Sequence, residues 1–357
     1  MRITPMKIVW GVLAAVVVAV ALASVRPSVI PQAAELSLTY PWVAVVAVRS
    51  WIVLVLLGAA LFFLIIGVIR RVMLGRGRIA FTLALALVAI AGLHGATLFS
   101  RGISNVESLA PDPGITSISE GDGSITVLEY NTLGSSTGVR ELADLIEGNG
   151  VDVVALPETS TQAGTELVQE LATRGLEFQR FDTDTSEYSS DYQSTVLLVS
   201  AELGEYAAST PFADASTTTA PAVLAVPVDG EGPSFMAVHP IAPSAEKIET
   251  WRAEIESVYR LCEEDSNLII AGDFNSTADH EAALRLPVRC TDAGAQAKVA
   301  GLGTWPSRLP AWLSSPIDRV LTSGGYEGTE GAVVSVGRSD HRGLLVRLTP
   351  RGKDDAN

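Results

Sequence analysis

The chain has 357 residues and a formal net charge of −15, but this average hides two unlike regions. Residues 1–101 hold nine Lys or Arg and one acid, Glu35; subtracting these from the 25 basic and 40 acidic residues of the chain leaves 16 and 39, or −23, over residues 102–357. Such an acidic region argues against a dedicated nucleic-acid binder, whose affinity comes largely from Lys and Arg, while an enzyme that holds a single phosphate through a metal stays compatible with it.

The basic region carries three apolar runs, at residues 8–25, 43–69 and 79–99, each near the roughly 20 residues that a spanning helix needs. Arg26-Pro27 is a poor cleavage site, so the first run reads as a span and not as a signal peptide. Arg2 and Lys7 precede the first run, and Arg70, Arg71, Arg76 and Arg78 crowd the loop between the second and third. The positive-inside bias then predicts a multi-pass protein in a lipid bilayer, with a cytoplasmic N-terminus and residues 102–357 outside. Arg49 is expected to snorkel to the outer interface, and His94 to face the helix bundle or the interface.

Residues 102–123, rich in Ser, Gly, Pro and Asp, read as a linker. Strands are expected at residues 124–129, 151–156, 195–200, 222–227, 235–238, 268–271, 317–321 and 343–348. Helical periodicity marks residues 138–147, 165–173, 245–264 and 278–285. The stretch at 305–316, with two Trp and three Pro, reads as a packed loop or as a lipid or base platform. Cys262 and Cys290 bracket the strand at 268–271; an exported domain permits a disulfide between them, and two buried thiols are the alternative. Residues 350–357 form a tail.

Asn131, Glu158, His239, Asp273 with Asn275, and Asp340 with His341 all fall at strand ends or just before a strand, and Asp318 lies near the beginning of another. Structural polar residues would scatter; recurrence at strand termini is what one catalytic rim of a sheet produces. Gly272 is expected to let the backbone turn sharply after the strand at 268–271. An acid and an amide at 273 and 275 suit metal binding, or the orientation of a water beside an anionic substrate.

The ordered set Tyr130-Asn131-Thr132, Pro157-Glu158, His239-Pro240, Gly272-Asp273-Phe274-Asn275, Ile317-Asp318-Arg319-Val320 and Ser339-Asp340-His341 resembles the endonuclease/exonuclease/phosphatase superfamily across residues 124–349. The resemblance implies an α+β fold, a four-layer αββα sandwich of two mixed β-sheets flanked by helices, here after three transmembrane helices. It also implies hydrolysis of phosphodiesters or phosphomonoesters with Mg²⁺ or Mn²⁺. Residue by residue it gives Glu158, Asn131 and Asp340 as metal ligands, with Asn131 also near phosphate. Asp273 then aligns or deprotonates the attacking water, and Asn275 steadies a phosphoryl oxygen. His341 pairs with Asp318, and His239 is a phosphate ligand or leaving-group acid. Some nuclease members carry an acid where this chain has Leu133. Arg180, Arg308, Arg319, Arg338 and Arg342 are the basic candidates for a substrate groove.

The expectation is a membrane-anchored, outward-facing phosphoesterase acting on nucleic acid, a phospholipid headgroup or an inositol phosphate. The alternative is an inactive binding domain of the same fold, displayed on the membrane.

Overall fold

The computed structural model describes residues 5–110, 123–183, 190–210 and 222–351. The N-terminal part is helical: α1 (Pro5–Ala23), α2 (Pro31–Ser37), α3 (Trp42–Ala47), α4 (Arg49–Leu74) and α5 (Arg78–Arg101). Among the described residues two helices, α4 and α5, are long and apolar enough to cross a membrane, where the sequence suggested three. Of α1 (19 residues), the stretch Val9–Ala23 counts as a shorter apolar helix among the described residues. The second apolar run is not continuous either. It breaks at Val48 (φ −113°, ψ 54°), so Arg49 opens the long helix and does not interrupt one. Ala21, Leu56, Ala60, Leu83, Leu87, Ile90 and Ala91 pack α1, α4 and α5 together.

Of the expected linker, residues 111–122 lie outside the described residues, as do residues 352–357 of the expected tail. The described part is not loose: Asn105 exchanges two hydrogen bonds with the backbone of Val333 (3.2 and 2.8 Å).

The remaining elements are β1 (Ile125–Glu129), α6 (Val139–Asn149), β2 (Val153–Pro157), α7 (Thr161–Thr173), β3 (Phe178–Asp182), β4 (Thr195–Ser200), β5 (Tyr206–Ser209) and β6 (Val223–Pro227). They continue with β7 (Ser234–Val238), α8 (Ile248–Glu264), β8 (Leu268–Asp273), α9 (Ala278–Leu284), β9 (Thr291–Asp292), α10 (Ala293–Gln296), β10 (Asp318–Thr322), β11 (Tyr326–Val334) and β12 (Gly343–Pro350). They build two six-stranded sheets, β11-β12-β1-β2-β4-β3 and β5-β6-β7-β8-β10-β9. Each sheet is mixed, since β1–β2 and β7–β8 are parallel and the other pairs antiparallel.

Alternation along the strands explains the layers. Ile125 and Val127 of β1 join Ala225, Phe235, Ala237 and Ile269 of the other sheet in the central core. Leu128 and Tyr130, one residue out of phase, pack under α6 and α7 beside Leu142, Ile146 and Leu167. On the far side Trp251, Ile255 and Val258 of α8 cover Met236, Leu268 and Ile270, and Ala34, Leu38 and Val43 from α2, α3 and their connections enter the same cluster. Helices therefore flank two stacked sheets. Cys262 and Cys290 form a disulfide with Cα atoms 5.3 Å apart, tying α8 to the segment before β9.

Two features differ from the sequence reading in ways that matter. Gly272 lies inside β8, which runs on to Asp273. There a Cβ would sit 2.0 Å from the Val238 carbonyl oxygen of the parallel neighbour β7, so the glycine serves close backbone approach and not a turn. β11 carries Gly328 and Gly331 and was not legible as a strand; a Cβ at either would strike Ala293 or Val299, and a bulge falls between Gly328 and Glu330. Edge strands β3, β5 and β9 were also missed: β3 is half-buried throughout and β9 spans only two residues. α7 begins one turn earlier than periodicity suggested, because the Ser160 side chain caps it at the Ala163 N–H.

Candidate active site

Both sheets bring polar residues to one rim. Asn131 follows β1, Glu158 follows β2, and Asp340 with His341 precedes β12; His239 follows β7, Asp273 ends β8 with Asn275 beyond it, and Asp318 opens β10. The register sets Asp318 directly opposite Asp273. Glu158 (φ 54°) and Asn275 (φ 46°) hold left-handed backbone conformations. Asn tolerates this, but for Glu it costs on the order of 1–3 kcal/mol and persists only where the surroundings enforce it.

Asn131 links the sheets: its amide donates to Glu158 Oε1 (3.0 Å) and to Asp273 Oδ2 (3.2 Å). Its own side-chain oxygen accepts from the Leu133 N–H (3.0 Å), so the residue also shapes the turn that carries it. His341 makes the second link. Its Nδ1 donates to the Asp318 carboxylate at 2.9 and 3.0 Å, which places Nε2 3.7 Å from Asp273 Oδ2. His239 Nε2 stands 3.7 Å from both Glu158 Oε1 and Asp273 Oδ2. Asn275 donates its backbone N–H to Asp273 Oδ1 (2.8 Å) and its amide to the Pro240 carbonyl (3.0 Å). All eight residues singled out from the sequence thus lie at this rim, although Asn275 is turned partly into its own loop.

The electrostatics separate the two histidines. Burial works against charge on His341, but Asp318 and then Asp273 outweigh it and push its pKa up to about 10, so the ring is cationic at neutral pH. Burial holds His239 below the usual histidine range despite Asp273, so that ring is neutral. Burial, with Asp318 beside it, lifts Asp273 to about 6. Glu158 is raised by burial, with the Asn131 hydrogen bond pulling the other way.

Two observations bear on a cation. Among the described residues, the buried oxygens Glu158 Oε2 and Asp340 Oδ1 have no hydrogen-bond partner. Hard oxygen donors of this kind suit Mg²⁺ or Mn²⁺. Asp273, Asp318 and His341 also bring donor atoms within 4.8 Å of one another, a possible metal site. The direct His341–Asp318 hydrogen bonds already account for that cluster, and a cationic imidazole has no lone pair to offer a metal. The oxygen set around Glu158 is the better fit.

The sequence reading passed over three contributors. Glu129 shares the face of Ile125 and Val127 and so points between the sheets toward Asp318 and Asp273. Burial and then these two acids raise its pKa far up, which favours the protonated carboxyl beside Asp318. Strand alternation would have placed it. Trp305 donates its indole N–H to Asp340 Oδ2 (2.9 Å), and Ser339 Oγ donates to the Asn131 carbonyl (2.6 Å); neither contact has a local sequence signal.

The basic groove residues are mostly elsewhere. Arg319 alternates to the opposite face from Asp318, buried against Glu281 (2.8 Å), Asp292 (3.0 Å) and Tyr259 (2.7 Å). Arg342 binds the Ser307 and Leu309 carbonyls and Ser314, bracing the 305–316 loop. Arg180 pairs with Asp182, while Arg308 and Arg338 are exposed.

Arg49 also departs from expectation. It does not snorkel to water: it is 5% exposed and gives a bidentate pair to Asp279 (3.1 and 2.6 Å). His94 is buried against the bundle as expected, between Arg49 (2.9 Å) and Ser24 (3.1 Å).

The family model described as "Endonuclease/Exonuclease/phosphatase family" matches residues 128–341, more than half of the chain. The chain belongs to this family. Its members are metal-dependent phosphoester hydrolases. No curated protein matches the chain. Among solved structures, D. rerio TDP2 complexed with single-strand DNA product is similar at 18% identity and TM-score 0.50, covering 63% of this chain and 99% of its own. A humanized D. rerio TDP2 gives 19% identity, 0.49, and 63% and 99% coverage. A family protein from Bacteroides thetaiotaomicron gives 15%, 0.46, and 64% and 98%. At such identities the likeness to TDP2 speaks to the fold of the sandwich alone.

Proposed function

We propose that this chain is a membrane-anchored, extracytoplasmic, divalent-metal-dependent phosphoesterase that hydrolyses phosphodiester or phosphomonoester bonds by attack of water on phosphorus. The observation that carries it is the junction of the two sheets, where Asn131, Glu158, His239, Asp273, Asp318 and His341 interlock beside carboxylate oxygens that lack partners among the described residues.

Glu158, Asn131 and Asp340 would hold the cation, which supplies positive charge to the phosphoryl oxygens when bound. Asp273, ionised above about pH 6 yet more basic than a free Asp, aligns the attacking water and takes up its proton. His341, cationic and fixed in one orientation by Asp318, places positive charge where the phosphoryl oxygens become more negative. Neutral His239 contributes a hydrogen bond rather than a charge, which favours its reading as a phosphate ligand over leaving-group acid. Asn275 has one amide hydrogen committed to Pro240, leaving the other for a phosphoryl oxygen or Asp273.

The membrane part of the proposal rests on α4 and α5, with Arg70, Arg71, Arg76 and Arg78 gathered where they join. That end faces the cytoplasm, so the catalytic domain lies outside, where a Cys262–Cys290 disulfide is chemically at home. DNA in the TDP2 complex makes nucleic acid one candidate substrate; phospholipid headgroups and inositol phosphates are the others. The test is full-length protein in detergent with Mg²⁺ or Mn²⁺ on bis(p-nitrophenyl) phosphate, plasmid DNA, RNA, phospholipid and inositol phosphates. Turnover abolished by EDTA and by Asp273→Asn supports the reading; metal binding without turnover on any of them turns it to a binding domain of the same fold.

A further inference from the structure

The rim that carries the site is fastened to one end of the helical region at three places. Asp279, in the first turn of α9, is gripped by Arg49 at the start of α4 and by Arg101 at the end of α5 (2.7 and 3.0 Å). His280 bonds the Val43 carbonyl of α3 through Nε2 (3.0 Å), while its Nδ1 accepts from the Thr277 N–H (3.0 Å). The 305–316 loop makes the third link. Trp51 donates to the Leu313 carbonyl (3.0 Å) and Ser315 to the Ala47 carbonyl (3.0 Å), while at its other end Trp305 reaches Asp340 and lies 6.4 Å from the His341 ring. The mouth of the site is therefore held beside the ends of α4 and α5 that bear Arg49 and Arg101.

The same segments expose aromatic rings. Of the six tryptophans in the chain, Trp42, Trp51, Trp305 and Trp312 lie here at 40–53% exposure, and Tyr40 joins them at 54%. Two of the tryptophans belong to the helical region and two to the 305–316 loop, and the Trp51–Leu313 hydrogen bond joins these segments. Indole and phenol rings gather at the level where spanning helices leave the hydrocarbon, since one edge is apolar and the other can meet water and headgroups. The acidic catalytic region offers few free cations around the mouth to draw in a long polyanion: Arg342 is spent on backbone carbonyls, which leaves Arg308 and Arg338 as the exposed candidates.

Building on the phosphoesterase reading, we propose that the Trp42–Trp51–Trp312 surface rests on the outer leaflet and that the substrate is a phosphoester carried in the headgroup layer of the bilayer. The helices then present the mouth to a substrate that reaches it by lateral diffusion, and the 305–316 loop is the part of the catalytic domain that touches lipid.

The test uses full-length protein in nanodiscs of phosphatidylcholine mixed with phosphatidylglycerol. A fluorophore on Trp312→Cys is expected to be quenched by lipids bearing a nitroxide at the headgroup; absence of quenching overturns the surface, whatever the activity. Hydrolysis of the nanodisc lipid is then compared with hydrolysis of bis(p-nitrophenyl) phosphate. Trp312→Ser and Trp42→Ser are expected to cut the lipid rate by about tenfold, the scale of losing an interfacial aromatic anchor, and to leave the soluble rate unchanged. Equal loss of both rates, loss of neither, or wild-type preference for DNA or RNA over lipid overturns the proposal while leaving a phosphoesterase. No turnover on any substrate overturns the catalytic reading and this one with it.

Discussion

Asp273 and Asp279 sit on one short stretch of chain, the end of β8 and the first turn of α9, and both are buried. Their surroundings push them in opposite directions. Asp273 faces another carboxylate, Asp318, and two imidazoles, and burial with that neighbour lifts its pKa to about 6. Burial acts on Asp279 in the same sense, but the guanidiniums of Arg101 and Arg49 overwhelm it and hold the group well below the usual carboxylate range. One acid stays basic enough to handle a proton; the other is locked as an anion that joins two parts of the molecule. Residue type and burial are alike, so partner charge decides between chemistry and architecture.

The largest expected effect breaks the first half of this contrast. Asp273→Asn should lower kcat by about 10³-fold, as loss of a general base does. The thermal midpoint of full-length protein should hold or rise, because a raised carboxylate costs the fold stability at neutral pH. A stability loss with activity retained would reverse the roles given to the two acids.

Asp279→Asn should do the converse. It leaves two guanidiniums without their counter-charge, a cost of about 3–5 kcal/mol for a buried pair, visible as a lowered midpoint of full-length protein in detergent. The soluble-substrate rate of the molecules still folded should change far less than with Asp273→Asn.

The pH profile of stability sharpens the comparison further, because the two clusters fail at opposite ends. His341 has a folded pKa raised to about 10 from an ordinary 6.5, so its contribution is complete below about 6.5 and is lost as pH rises through about 10. Asp279 has a folded pKa depressed from 3.8, so its contribution is present above that value and is lost as pH falls below it. Unfolding followed against pH should show His341→Gln flattening the alkaline side and Asp279→Asn the acid side. Loss of the same limb in both variants would mean that the clusters act as one.

The smallest effect concerns Glu129. A protonated carboxyl and an amide are nearly isosteric and both uncharged, so Glu129→Gln should keep activity within about threefold. Glu129→Ala removes the polar group facing Asp318 and leaves a hole between the sheets, and should cost about 1–3 kcal/mol. A large loss in Glu129→Gln would show that the group works as an anion.

Much of this molecule was legible because its chemistry is local to strand ends. Asn131, Glu158 and Asp273 were found where short apolar runs stop, and Asp318 and His341 where they start, and β4 runs over the same residues, Thr195–Ser200, that its pattern marked. Asp273, Gly272 and Phe274 stand together in the sequence because one strand has to deliver a buried acid past a neighbour too close for a side chain. Composition alone also divided the apolar, basic part from the acidic one.

What the chain could not show on its own are facts about distance. Nothing near Arg49 names Asp279, which lies 230 residues away, so a lone arginine at the edge of an apolar run read as a snorkelling side chain. Arg319 follows Asp318 and looked like a groove cation until strand alternation sent it to the opposite face. Strand alternation could turn Glu129 inward, but that it meets Asp318 and Asp273 was decided by the other sheet. Periodicity and turn chemistry act over a few residues and are written in the sequence. The charge environment of a buried group is a sum over neighbours that only folding assembles.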